Sequence, residues 1–136
     1  MRPLPPAAQG SFTLTVSPEH LASRFKDTTL PPVLATPVMI MAMENAALNA
    51  IKPYLEAGES AVGTRVDVKH LAATPVGRRI TAYAEVTQVA GRRIAFRVRA
   101  MDGAEKIGEG THERLVIDVA RFADQLAAKF AEEPGH

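Results

Sequence analysis

Apolar and polar positions alternate along Ser11–Val16, where Phe12, Leu14 and Val16 share one face. That two-residue period is that of a half-buried strand. Ser17 and Pro18 follow as a capping residue and a first-turn proline, so HLASRF reads as one or two helical turns. Lys26 to Ala35 carries two adjacent prolines and no period, the pattern of a loop. The next segment changes character: from Val38 to Ile51 only Glu44, Asn45 and Asn49 are polar, with Thr36 as candidate cap and Pro37 in the first turn. A helix apolar on nearly every side has to be buried, and Pro53 and Gly58 end it. Four strand-like segments come next, Ser60 to Ala73, Arg79 to Val89, Arg93 to Met101 and Glu105 to Ile117. Turn residues separate them, so consecutive strands are expected to pair mostly antiparallel. Val119, Phe122, Leu126 and Phe130 then recur at helical spacing, after a possible cap at Asp118.

This order predicts an α+β domain in which a curved antiparallel sheet of about five strands wraps one long apolar helix, the hotdog fold. The sheet supplies the helix with cover, and the helix fills the sheet's concave face. Residues 1–10 are expected to form a flexible lead, 11–131 a single domain and 132–136 a frayed tail. An open sheet edge and a half-covered helix point to a homodimer, or a higher oligomer, as the way to finish burial.

Composition narrows the function. At 136 residues, with 46% hydrophobic and 23% charged, the chain is in the range of one globular core. A net charge of +1 and 5% aromatics lack the basic surface and stacking platforms of nucleic-acid binders, so no nucleic-acid partner is expected. Without cysteine, thiolate nucleophiles and disulfides are excluded. No histidine pair has metal-ligand spacing, and Gly108 to Gly110 lies within a strand pattern rather than between strand and helix, so neither metal nor cofactor is expected. That glycine pair suits a bulge or a close backbone approach. No signal-peptide pattern or membrane-length apolar run is present, which makes a cytoplasmic protein without a membrane partner the expectation.

Three residues stand out against this background. Glu44 interrupts the apolar helix, where a carboxylate needs either a task, a hydrogen-bonded niche or a gap to solvent. His70 falls on the same strand face as Val62, Val66 and Val68, opposite Arg65, Asp67 and Lys69, so the pleat aims its imidazole inward as a core residue or a general base. Thr36 starts the helix, either as its cap or beside backbone amides that stabilise negative charge. Eight residues separate Thr36 from Glu44, about 12 Å along the axis, so one site using both needs a spanning substrate or a second subunit. Arginine pairs at 78/79, 92/93 and 97/99 suit either phosphate contacts or a solvated sheet surface. His20 and His112 lie among polar neighbours and carry less weight.

The stretches ATPVMIMAMENAA, KPYLEAGESAVGT, VKHLAATPVG, VAGRRIAFRVRAMDG and EKIGEGTHERLVI together resemble the fluoroacetyl-CoA thioesterase family over roughly residues 30 to 122. The resemblance implies a hotdog homodimer with its site at the subunit interface, an acyl-CoA substrate, and catalytic residues at Thr36, Glu44 and His70. It also places substrate-contacting residues at Gly63 and Arg114. Where the family carries a lid phenylalanine this chain has Leu30, and Pro37 replaces a glycine, so the acyl specificity need not follow the family's. The expected function is hydrolysis of a short-chain acyl-CoA, fluoroacetyl-CoA among the candidates. A non-catalytic acyl-CoA binding module and a hotdog enoyl-CoA hydratase are the competing readings.

Overall fold

The computed structural model describes residues 1–131; the expected tail at 132–136 lies outside the described residues. Five strands form one antiparallel sheet: β1 (Gln9–Thr15), β2 (Glu59–His70), β3 (Arg79–Ala90), β4 (Arg93–Asp102) and β5 (Glu105–Asp118). A short helix, α1 (Ala22–Phe25), precedes the long helix α2 (Thr36–Ile51), and α3 (Val119–Ala131) follows β5. This is the hotdog architecture anticipated from the pattern.

The sheet order is β1-β3-β4-β5-β2. Hairpins join β3 to β4 and β4 to β5, as their turn residues require. β2, however, pairs with β5 rather than with its sequence neighbour β3, which leaves β1 and β2 as the sheet edges.

The inward faces of β3 and β4 supply Ile80, Ala82, Ala84, Ile94, Phe96 and Val98, all buried. Against them α2 packs Met39, Ala42, Met43, Ala46, Ala47 and Ile51. Small residues let the helix come close. At Gly10 a Cβ would strike the backbone of Ala46 and Ala50, so β1 and α2 are nearly in backbone contact. Gly108 serves the same purpose against Met39, whereas Gly110 lets β5 lie close to the backbone of Asp67 and Val68 in β2.

Three local expectations are revised. The stretch expected as a lead-in contributes Gln9 and Gly10 to β1, and the Arg2 amide donates to the Tyr54 carbonyl at 2.7 Å. The register of β2 shifts between Gly63 and Arg65, a bulge at Thr64. Val66, Val68 and His70 therefore share the inward face as read, but the face continues through Gly63 and Ala61, and Val62 turns outward. Finally, α3 has its apolar stripe, yet none of its residues is buried in the single chain, with Val119 and Leu126 exposed.

Candidate active site

Thr36 does not cap α2. Ala35 holds the N-cap position, Thr36 is the first helical residue and makes no capping bond. Its hydroxyl lies instead 2.8 Å from His70 Nδ1, brought there because the last inward residue of β2 passes the helix start. Pro37 has no N–H, and the amides of Val38 and Met39 both donate to the Ala35 carbonyl, so the helix start offers fewer donors than its position suggests. The pair opens on a cleft of about 390 Å³ whose lining includes Leu30, Val33, Leu34 and Leu71. Among the described residues, His70 Nε2 is buried without a hydrogen-bond partner. Burial holds the imidazole pKa below its ordinary value, opposed by the Ala72 backbone, and so favours the neutral base.

Glu44 belongs to a second cluster two turns along α2. Its side chain is 36% exposed rather than sealed in the core, and its Oε2 lies 3.9 Å from Arg114 Nη1. Gly63 gives it room, since a Cβ there would stand 2.7 Å from Glu44 Oε2. Arg114 is buried and donates from Nη2 to the Ala61 carbonyl at 2.6 Å. Burial lowers the guanidinium pKa and the Glu44 carboxylate opposes that shift. Among the described residues no hydrogen bond or ion pair joins Glu44 to Thr36 or His70.

His112, inconspicuous among the polar neighbours of its strand, joins this cluster. It is 2% exposed, and its ring stacks on Phe96 with centroids 5.8 Å apart. Nδ1 donates to the Arg65 carbonyl at 2.7 Å, and Nε2 lies 3.2 Å from Arg114 Nη1. The signal that finds it is cross-strand: Phe96 and Ile94, inward on β4, stand opposite His112 and Arg114 on β5.

The arginine pairs divide. Arg78 bonds Asp102 and Arg92 approaches Glu59, whereas Arg97 and Arg99 line an outer hollow of about 440 Å³ with Lys69 and Lys106. No group of three acidic or imidazole side chains suited to a metal occurs among the described residues, and no described helix is long and apolar enough to cross a membrane.

A curved antiparallel sheet around one long apolar helix defines the hotdog class, and a threonine–histidine pair opens on its cleft. Residues 16–120 match the fluoroacetyl-CoA-specific thioesterase family, and the chain belongs to that family. It is 48% identical over 99 residues to the fluoroacetyl-CoA thioesterase of Streptantibioticus cattleyicolor, covering 73% of this chain and 71% of that one. A solved structure of a fluoroacetyl-CoA thioesterase superposes with a TM-score of 0.87 at 37% identity, covering 93% of this chain and 98% of the other. A thioesterase superfamily member from Thermus thermophilus gives 0.86 at 30% identity, covering 98% and 100%.

Proposed function

We propose that the protein hydrolyses short-chain acyl-CoA thioesters to the free acid and coenzyme A, at a site built from Thr36, Glu44 and His70. The observation that carries this reading is the 2.8 Å contact between Thr36 Oγ1 and His70 Nδ1 beside a largely apolar cleft. A neutral imidazole there can take the threonine proton, and the cleft suits the acyl group. Glu44, beside the Arg114 guanidinium, supplies the carboxylate that attacks or activates water. Gly63 lets the substrate come close to backbone, and Arg114 faces the same space.

The two clusters lie about 12 Å apart along α2. A homodimer resolves that separation. β2 is an open edge carrying Val66, which is 40% exposed. Two-fold antiparallel pairing of β2 with its copy sets the His70 end of one strand against the beginning of the other, so Thr36 and His70 of one protomer approach Glu44 of its partner.

Thiol release from acetyl-, fluoroacetyl-, propionyl- and butyryl-CoA tests the activity. Release from at least one, lost in His70→Ala, is the expected result, and no release from any of them sinks the proposal. A double-bond absorbance change on an enoyl-CoA without thiol release would indicate a hydratase. Sedimentation equilibrium should give about twice the 14.6 kDa chain mass.

A further inference from the structure

His112 has two hydrogen-bonding nitrogens and both are committed. The partner of Nδ1 is the Arg65 carbonyl, which only accepts, so Nδ1 must carry the proton. The partner of Nε2 is Arg114 Nη1, which only donates, so Nε2 must be bare. One tautomer of the neutral ring satisfies both, and the ring is held in that orientation by its stack on Phe96. Arg114 in turn has Nη2 fixed on the Ala61 carbonyl and Nη1 directed between His112 and Glu44 Oε2. The relay runs from the β2 backbone through the imidazole and the guanidinium to the carboxylate on α2. Gly63 sits at its centre, where a Cβ would lie 2.7 Å from Glu44 Oε2 and 3.3 Å from His112 Cε1.

We infer that His112 is a positioning residue of this enzyme: it fixes the Arg114 guanidinium, and through it the orientation of the Glu44 carboxylate, while touching no reacting atom itself. The inference rests on the reading of Glu44 as a group of the reacting site. An arginine side chain has several rotatable bonds, and one bond to Ala61 leaves the remaining Nη free to swing away from Glu44. The acceptor at His112 Nε2 removes that freedom. It also explains why a histidine occupies a buried, inward position stacked on Phe96, where an apolar residue would otherwise pack.

The test uses the full chain with single and double substitutions. His112→Phe keeps a ring on Phe96 but offers Arg114 no acceptor; His112→Gln can return an acceptor near the Nε2 position. His112→Phe should lower kcat about 10–100-fold, the factor a hydrogen bond to a charged group is worth, with KM changed less than about twofold. His112→Gln should recover at least part of that loss. In the Arg114→Ala background His112→Phe should add almost nothing, because the group it positions is gone. A residue that only filled the core would give additive losses in the double variant and no recovery with glutamine, and either result overturns the inference. Melting temperatures of all variants separate unfolding from misalignment; if His112→Phe does not fold, His112→Leu, which also offers Arg114 no acceptor, supplies the same comparison alone and with Arg114→Ala. Glu44→Gln distinguishes the two levels. Full turnover in Glu44→Gln would remove the reading of Glu44, whereas an inactive Glu44→Gln beside a fully active His112→Phe would overturn only the role of His112.

Discussion

Thr36 Oγ1 and His70 Nδ1 are 2.8 Å apart across 34 residues of chain, and neither group has the structural duty its position suggests. The threonine opens a helix without capping it. The histidine ends a strand face that is otherwise apolar, with Nε2 unpartnered among the described residues. Their mutual contact is therefore the interaction to remove.

Thr36→Val deletes the hydroxyl while keeping the shape of the side chain. Because Ala35 is the N-cap and Thr36 makes no capping bond, the melting temperature should shift by no more than the few degrees of an ordinary surface change. Turnover should fall by about 10²–10⁴-fold, the usual contribution of a positioned proton-transfer partner. Thr36→Ser should retain most of the activity. A melting curve and a thiol-release assay on the same samples decide the matter, and a fully active valine variant would remove Thr36 from the chemistry.

Gly63→Ala and Gly10→Ala should separate activity from stability. At Gly63 the added methyl meets the tip of Glu44, a side chain that can move away, so the fold should survive while the carboxylate is displaced and turnover drops. At Gly10 the methyl meets the backbone of α2, which cannot move locally, so stability should fall by about 1–3 kcal/mol or more. Denaturant titration and kinetics of both variants give the comparison. Equal loss of stability in the two would contradict it.

The contrast between these glycines shows what could be read in the chain. The apolar run of α2 and the alternation ending at His70 are local patterns, and they place Glu44, Thr36 and His70 directly. The bulge at Thr64 is set by pairing with β5, so local alternation alone puts Val62 on the wrong face. His112 is inconspicuous for the same reason: Thr111 and Glu113 beside it are polar, and only the register against Phe96 of β4 turns it inward. The placement of β2 beside β5 is a long-range choice that no turn residue encodes. Helix neighbours alone leave Glu44 open between a task, a hydrogen-bonded niche and a gap to solvent, and only the space at Gly63 shows its carboxylate to be partly open.

Acidification should weaken the fold before the carboxylates titrate. His70 and His112 both have pKa values held below the ordinary 6.5, in each case chiefly by burial. For His112, the Arg65 carbonyl opposes the shift and Arg114 adds to it, while Glu44 and Glu113 also oppose. The folded protein then binds fewer protons than the unfolded chain below that value, so stability is complete above about pH 6.5 and declines as the pH falls toward the lowered folded values. Thermal melts between pH 8 and 5.5 should show this decline, and His112→Phe should flatten it. The same shift keeps His70 in its basic form, so the acid limb of kcat/KM should lie below pH 6.5. A melting temperature that rises on acidification through this window would contradict the assignment of both rings as buried and neutral.

Leu30 sets the width of the cleft at Thr36 and His70, which it lines together with Val33, Leu34 and Leu71. The resemblance places a phenylalanine at this position in the family. A leucine there leaves volume that a ring would fill, and Val33, Leu34 and Leu71 beside it present alkyl groups that cannot hydrogen-bond a substituent. Discrimination in such a pocket comes from size, which limits it to about 10–200-fold per methylene. Wild-type protein should therefore accept propionyl- and butyryl-CoA with kcat/KM values near that for acetyl-CoA. Leu30→Phe should reduce the butyryl-to-acetyl ratio by about tenfold or more, within that same range. The measurement is kcat/KM on the three esters for both proteins, with the melting temperature as a check on folding. If the ratio does not move, the acyl group does not lie in the cleft beside Leu30, and the path from that cleft to the Thr36 hydroxyl is not the one the substrate takes.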